Sequence, residues 1–326
     1  MRIAMIGVTA ALAAAFQGAV AQSPNSRGTV EVVVANQQSA SASIMNAGGT
    51  TMKHIPVGVG PHEAQVSPDG RVAVVTIYGT QTPGNQLAVI DLVRDSVIRT
   101  IDLGQYTRPH GVIFLAGSSE RVVVTSESTQ NVVLVNLRTG SIEAIPTDAR
   151  ASHMIAVKAD GTRGWTANIA DNNVSEIDLV GKKFVRKFDV PERPEGIAVT
   201  PDGAEVWVGS NTTGAVTVIS TATGEVLKTV TGLKFPYRLT ASPDGRRIAI
   251  VDGQGGKLAI ADVATHTIAG EIPLDQPRGV AISPDNRTAY VTLAGSKLAV
   301  VDIQDFKLLR TLDVQASPDG VGAGIR

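Results

Sequence analysis

Seven apolar, strand-like runs in this chain end on Asn, Asp or Ser. The terminal residues are Asn46, Asp91, Asn136, Asp178, Ser220, Asp262 and Asp302, spaced 45, 45, 42, 42, 42 and 40 residues apart. A unit of that length, built from short β patterns and turn residues, cannot bury its apolar faces alone. It has to stack against copies of itself, and the architecture that satisfies this spacing is a ring of four-stranded blades. The spacing predicts an all-β fold, a seven-bladed β-propeller with four antiparallel strands per blade.

The repeat following Arg193 shows the wiring. Glu195 to Val199 alternates as an inner strand, and Thr200-Pro201-Asp202-Gly203 is a tight turn with Pro, Asp and Gly where turn geometry favours them. Glu205 to Gly209, Val216 to Ile219 and Val226 to Val230 supply three more strands, separated by turns around Asn211 to Gly214 and Thr221 to Gly224. The first turn recurs at Ser67-Pro68-Asp69-Gly70, Ala159-Asp160-Gly161, Ser242-Pro243-Asp244-Gly245 and Ser283-Pro284-Asp285-Asn286, which fixes the register independently of strand propensity. Asp in such a turn bonds its own backbone, and no calcium-loop spacing surrounds these residues.

Complete repeats open near Pro61, Pro109, Ser152, Pro194, Pro236 and Pro277. The segment from Val30 to Pro56 offers strands without an inner one, and Ser317 to Ala323 reads as an inner strand without successors. Joined in one sheet, the two ends make the seventh blade and leave no free edge at the closure. Gly320, Gly322 and Gly324 in that strand permit close backbone approach near the axis. Trp165 and Trp207 share one second-strand position in adjacent repeats and are expected to pack between blades.

Met1 and Arg2, an uncharged stretch from Ile3 to Phe16 and the small-x-small run Ala19-Val20-Ala21 predict an export signal over 1–21. The mature propeller domain is then 22–326, periplasmic or secreted, with no membrane span once the signal is removed. Cys is absent from all 326 residues, which excludes disulfides, thiolate metal sites, covalent c-type haem and a Cys nucleophile. Signal removal takes only Arg2 from 29 basic residues set against 30 acidic ones. Without a basic cluster, nucleic-acid binding is not expected.

The order Pro-x-Gly, inner strand, Ser-Pro-Asp-Gly, second strand, then a third strand ending Ile-Asp resembles the YVTN-repeat propellers, and Tyr290-Val291-Thr292-Leu293 nearly spells their signature. Ile77, Ser126, Ser210 and Asp252 depart from the family's Asn, which Asn36 and Asn168 retain. The resemblance covers the whole mature chain. It implies an exported bacterial seven-bladed protein related to lactonase and streptogramin-lyase propellers, surface-layer-like proteins and a subunit of quinohaem amine dehydrogenases.

Function must come from the departures within the repeat. The central residue of each Pro-x-Gly element rims the central channel, and around the chain these are His62, His110, His153, Glu195, Tyr237, Arg278 and Asp319. Three imidazoles on successive blades with a carboxylate next in order suit a divalent metal, which is the cofactor predicted, with His62, His110 and His153 as ligands. Glu195 completes the sphere or acts as general base, while Tyr237 and Arg278 orient an oxygen anion. The expected function is a lyase or hydrolase acting on a small molecule at the channel mouth. The competing reading is a non-catalytic scaffold whose rim contacts a protein partner. Asn36, Ser126, Glu127, Asn168, Asp171, Ser210, Asn211 and Asp252 fall where second strands turn into third strands and are candidates for an outer shell. Residues 79–86 form a longer connection than their counterparts, a candidate lid. His54 and His266 fall in or beside outer strands and are expected at the surface.

Overall fold

The structure, a computed structural model, describes residues 28–46 and 52–326; the export signal expected over 1–21 lies outside them. These residues form seven four-stranded antiparallel sheets arranged as a ring. Numbering the blades from the first complete repeat, their inner strands are Pro61–Val66, Pro109–Phe114, Ser152–Val157, Pro194–Val199, Pro236–Ala241, Pro277–Ile282 and Pro318–Ile325. The seventh blade is the predicted closure: the C-terminal strand Pro318–Ile325 pairs with Val30–Asn36, joining Val32 to Ala323 and Val34 to Val321. Among the described residues no helix is long and apolar enough to cross a membrane.

The core lies between blades. Trp207 packs with Ile248, Ile250 and Ala259 of the following blade, and Trp165 with Ile197, Val206 and Val208, as their shared register position predicted. Ser67 and Arg71 hydrogen-bond to Asp69, and Ala204 to Asp202, so these turn carboxylates satisfy their own loops.

Three features deliver the rim positions to the axis. In each blade the register between inner and second strand slips at the Pro-x element; in the first blade Pro61 pairs with Ile77 but Ala64 with Val75. Such a bulge frees the residues within it from the ladder and re-aims their side chains. The residue before the element takes a left-handed conformation in most blades, as at Arg108, Ala151, Arg193 and Ser317 with φ of 56°, 53°, 55° and 56°. A backbone bond then ties that corner to the first residue beyond the second strand, from Glu127 N to Arg108 O, Asn211 N to Arg193 O and Gln37 N to Ser317 O.

Buried threonines stitch neighbouring inner strands together. Thr125 Oγ1 accepts from Gly111 N and donates to His153 O at 2.6 Å in the next blade; Thr292 does the same between Gly279 N and Asp319 O. A Cβ at Gly322 would lie 2.7 Å from Gln65 Cα, and one at Gly320 2.5 Å from Glu63 Cα. The closing strand therefore approaches its neighbour backbone to backbone.

Because both sides of that contact are main chain, Gly322→Val is expected to cost about 1–3 kcal/mol or more. Gly295→Ala, where a Cβ would meet nothing within 4 Å, is expected to be near neutral. Denaturant unfolding of the two variants checks the contrast.

Candidate metal centre at the channel mouth

The three histidines converge. The rings of His62 and His110 have centroids 4.1 Å apart and those of His110 and His153 3.7 Å apart, so three successive blades present one imidazole row. His110 is wholly buried and His153 is 9% exposed. Four buried imidazole nitrogens have no hydrogen-bond partner: His62 Nδ1, both nitrogens of His110, and His153 Nε2. Buried polar atoms are nearly always paired, so four in one cluster mark a place where the protein's own groups do not complete the chemistry.

Carboxylates enclose the row. His62 Nδ1 lies 3.4 Å from Asp319 Oδ2 and 3.8 Å from Glu63 Oε1, and His110 Nδ1 lies 3.9 Å from the same Glu63 oxygen. His153 reaches Glu127 Oε2 through Nδ1 at 3.2 Å and Glu195 Oε1 through Nε2 at 3.4 Å. The latter approach is too poorly aligned to satisfy the nitrogen. Tyr78 donates to Glu127 Oε2 at 3.0 Å, and Gln37 to Asp319 Oδ2 at 2.8 Å.

One cation answers them. Arg238, in the fifth blade, binds Glu63 of the first blade through Nε at 3.1 Å and Nη2 at 2.9 Å. Its Nη1 contacts Glu195 at 3.2 Å and Tyr237 O at 3.1 Å, and its guanidinium lies 4.2 Å from the Tyr237 ring centre. This bridge crosses the channel.

Burial disfavours the charged form of Glu63, but Arg238 and then His62 outweigh it and hold the carboxyl below its ordinary range. Glu195 is lowered in the same way, burial being overcome by His153 and Arg238, and Glu127 by His153 and Tyr78. Burial, with His153 and His62 next, keeps His110 well below the usual imidazole value and therefore neutral. His153 is raised, because Glu127 and Glu195 more than offset its burial.

Two sets of donors could share an ion: His62, Glu63 and His110, or His110, Glu127 and His153, the atoms of each set lying within 4.8 Å of one another. Ligand atoms on a tetrahedral zinc stand about 3.4 Å apart, so either set would close by small side-chain movements. Neutral imidazoles with a carboxylate are a fitting donor set for zinc, iron, manganese or copper.

Of the residues singled out in the sequence, His62, His110, His153, Glu195 and Asp319 meet in this cluster, and Tyr237 borders it. Arg278 is half-buried and joins none of the cluster's ion pairs or hydrogen bonds. Glu195, expected to complete the metal sphere, is engaged by Arg238 and by Asn211 Nδ2. The carboxylates that group with two imidazoles closely enough to share an ion are Glu63 and Glu127. In the outer shell Glu127 and Asn211 touch the rim residues. Others secure the turns: Asn36 donates to Ser43, Asn168 to Ser175, Ser126 to Thr107 O, Ser210 to Glu192 O, and Asp252 accepts from Phe235 N. Asp171 instead holds Arg150.

Glu63, Arg238, Tyr78 and Gln37 were not foreseen. Glu63 and Arg238 occupy the position after x, where four blades carry Gly111, Gly196, Gly279 and Gly320. That substitution was the available signal. The candidate lid is a pinned hairpin: the second strand runs to Gly79, the third starts at Pro83, and Arg108 bonds Tyr78 O and Gln81 O at 3.4 Å each. His54 is exposed and bonded to Ser43, whereas His266 is half-buried, its Nε2 2.9 Å from Glu205 of the neighbouring blade.

No protein-family model and no curated protein matches the chain. Solved structures do. A functionally unknown protein from Desulfotomaculum acetoxidans superposes with a TM-score of 0.75 at 16% identity, over 90% of this chain and 99% of its own. Kuenenia stuttgartiensis hydrazine synthase superposes with a TM-score of 0.67 at 17% identity, over 80% of this chain and 89% of the matched chain. At these identities the likeness establishes the seven-bladed propeller fold.

Removing the crossing cation exposes its role. In the native protein Glu63 and Glu195 have depressed pKa values, so their contribution to stability is present above the unfolded value of about 4.3 and is lost as pH falls through the folded values. Arg238→Met leaves two buried carboxylates unanswered and is expected to cost about 3–5 kcal/mol at pH 7. The variant should regain stability relative to wild type as pH is lowered towards 5, because protonation now relieves the buried charge. Urea unfolding across that range measures the sign.

Proposed function

We propose that the protein binds a divalent transition metal at the mouth of its channel and uses it on a small oxygen-bearing molecule, as an exported hydrolase or lyase. One observation carries this reading: four buried imidazole nitrogens without partners lie among carboxylates that outnumber the nearby cations. Glu63, Glu127, Glu195 and Asp319 face Arg238 and a His153 raised above its ordinary range, while His110 is held neutral. A divalent cation offsets the remaining negative charge and takes the lone pair of one nitrogen from each imidazole that binds it. Binding displaces any proton on His153, so affinity falls as the medium becomes acidic.

The metal would supply Lewis acidity towards a carbonyl, ester or phosphoryl oxygen. The chain's own part is positioning. His110, shared by both donor sets, anchors the ion. Tyr78 and Gln37 hold Glu127 and Asp319 in orientation by the bonds described above, which fixes the outer partners of His153 and His62. Glu195, kept ionised, is the proton acceptor, and Tyr237, stacked on the Arg238 guanidinium, borders the cluster beside it. The YVTN-repeat likeness and the export signal read from the sequence agree with an extracytoplasmic protein that meets its ligand outside the cell.

Freshly purified mature protein is expected to carry about one zinc, iron, manganese or copper ion per chain by elemental analysis after dialysis. His110→Ala, and the triple His62, His110 and His153 to Ala variant, should lose it while keeping the β-sheet circular dichroism. A metal-free native protein, or metal retained in the folded triple variant, contradicts the proposal. A rim that serves as a non-catalytic docking face would give the first of those results.

A further inference from the structure

Beneath the Glu63–Arg238 bridge the channel opens again. A cavity of roughly 370 Å³ runs from that pair towards the opposite face, where Pro201, Ser242 and Pro243 of the inner turns border it. Its walls are the inner strands. Ile113, Met154, Thr240 and Val280 line it and are only partly buried, so each turns part of its side chain to the open space while Ile113, Met154 and Val280 also pack against the interblade cores. At about 30 Å³ per non-hydrogen atom the cavity has room for roughly a dozen atoms, within the range of small-molecule sites.

The inner end of the cavity is chemically defined. Arg238 has five N–H groups, of which Nε, both on Nη1 and one on Nη2 are taken by Glu63, Glu195 and Tyr237 O. One N–H of Nη2 is left. Glu63 accepts both Arg238 bonds on Oε1, and Oε2 accepts no hydrogen bond from the protein. Glu63 is 8% exposed and Arg238 3%, so this leftover donor and acceptor belong to one buried ion pair that lines the cavity. Their charges already answer each other: a carboxylate arriving there meets Glu63 and Glu195, and an ammonium meets Arg238.

We infer that this lower channel is a second binding site, sharing only Glu63 with the imidazole cluster above it, for an uncharged, slender, largely apolar molecule ending in a group that both donates and accepts, such as a primary amide. The head donates to Glu63 Oε2 and accepts from Arg238 Nη2, and the chain lies against Ile113, Met154 and Val280. The site does not depend on a metal above it.

Hexanamide is a direct probe. Calorimetric titration into the full-length mature protein should give saturable 1:1 binding, at least tenfold tighter than hexanoate or hexylammonium. Thr240→Phe and Val280→Phe each fill the cavity from a partly exposed wall position and should each weaken hexanamide tenfold or more. Metal content at the mouth should stay unchanged, which separates failure here from failure of the metal proposal. Absence of saturable hexanamide binding, a charged analogue binding as tightly, or full affinity in both folded Phe variants overturns the inference; a channel that holds only water gives the first of these.

Discussion

Everything at the mouth of this propeller depends on one guanidinium laid across the axis. Arg238 reaches from the fifth blade to Glu63 in the first and Glu195 in the fourth, all three side chains nearly removed from solvent. Without it, inner strands carrying three carboxylates, with Glu127 beside them, could not close around so narrow a channel, since each buried charge needs a partner. With it, the carboxylates stay ionised and press their charge on the imidazoles. The bridge also divides the channel into a polar mouth above and a largely apolar cavity below. A ring of identical blades would offer neither.

The fold places these groups by repetition and gives them chemistry by exception. Bulge, left-handed corner and crossover bond recur around the ring, so each blade delivers one side chain to the same height on the axis. Thr125 and Thr292 then hold neighbouring corners in a common frame, and Thr125 fixes the carbonyl of His153 itself. Precision at the site is thereby inherited from sheet geometry and leaves only the choice of residue to each blade. His62, His110 and His153 stack because their blades are consecutive; Glu63 and Arg238 meet because theirs face each other across the ring.

The period of Asn, Asp and Ser strand ends made the architecture legible, down to the shared closing blade and the interblade tryptophans, because each strand's fate is decided by local alternation and turn chemistry. The histidine row was legible for the same reason: equivalent positions in a ring are neighbours. The cross-channel pair was not, since pairing across a ring depends on which blades oppose each other and how far a side chain reaches, and a period carries neither. Glycine at the position after x in four blades made Glu63, Met154 and Arg238 visible exceptions, but their partners needed coordinates. Tyr78 was hidden differently: it lies inside the second strand, one residue before its end at Gly79 and just ahead of the segment read as a lid.

The central claim is that the bare nitrogens of His62, His110 and His153 form one cation-binding group, set apart from the chain's other histidines. Zinc titration of protein labelled with ¹⁵N in its imidazoles, followed by long-range ¹H–¹⁵N correlation, observes those atoms directly. The account predicts large shifts at His62, His110 and His153, with His54 and His266 unmoved at one equivalent. Shifts confined to His54 or His266, or an unchanged spectrum, would contradict it.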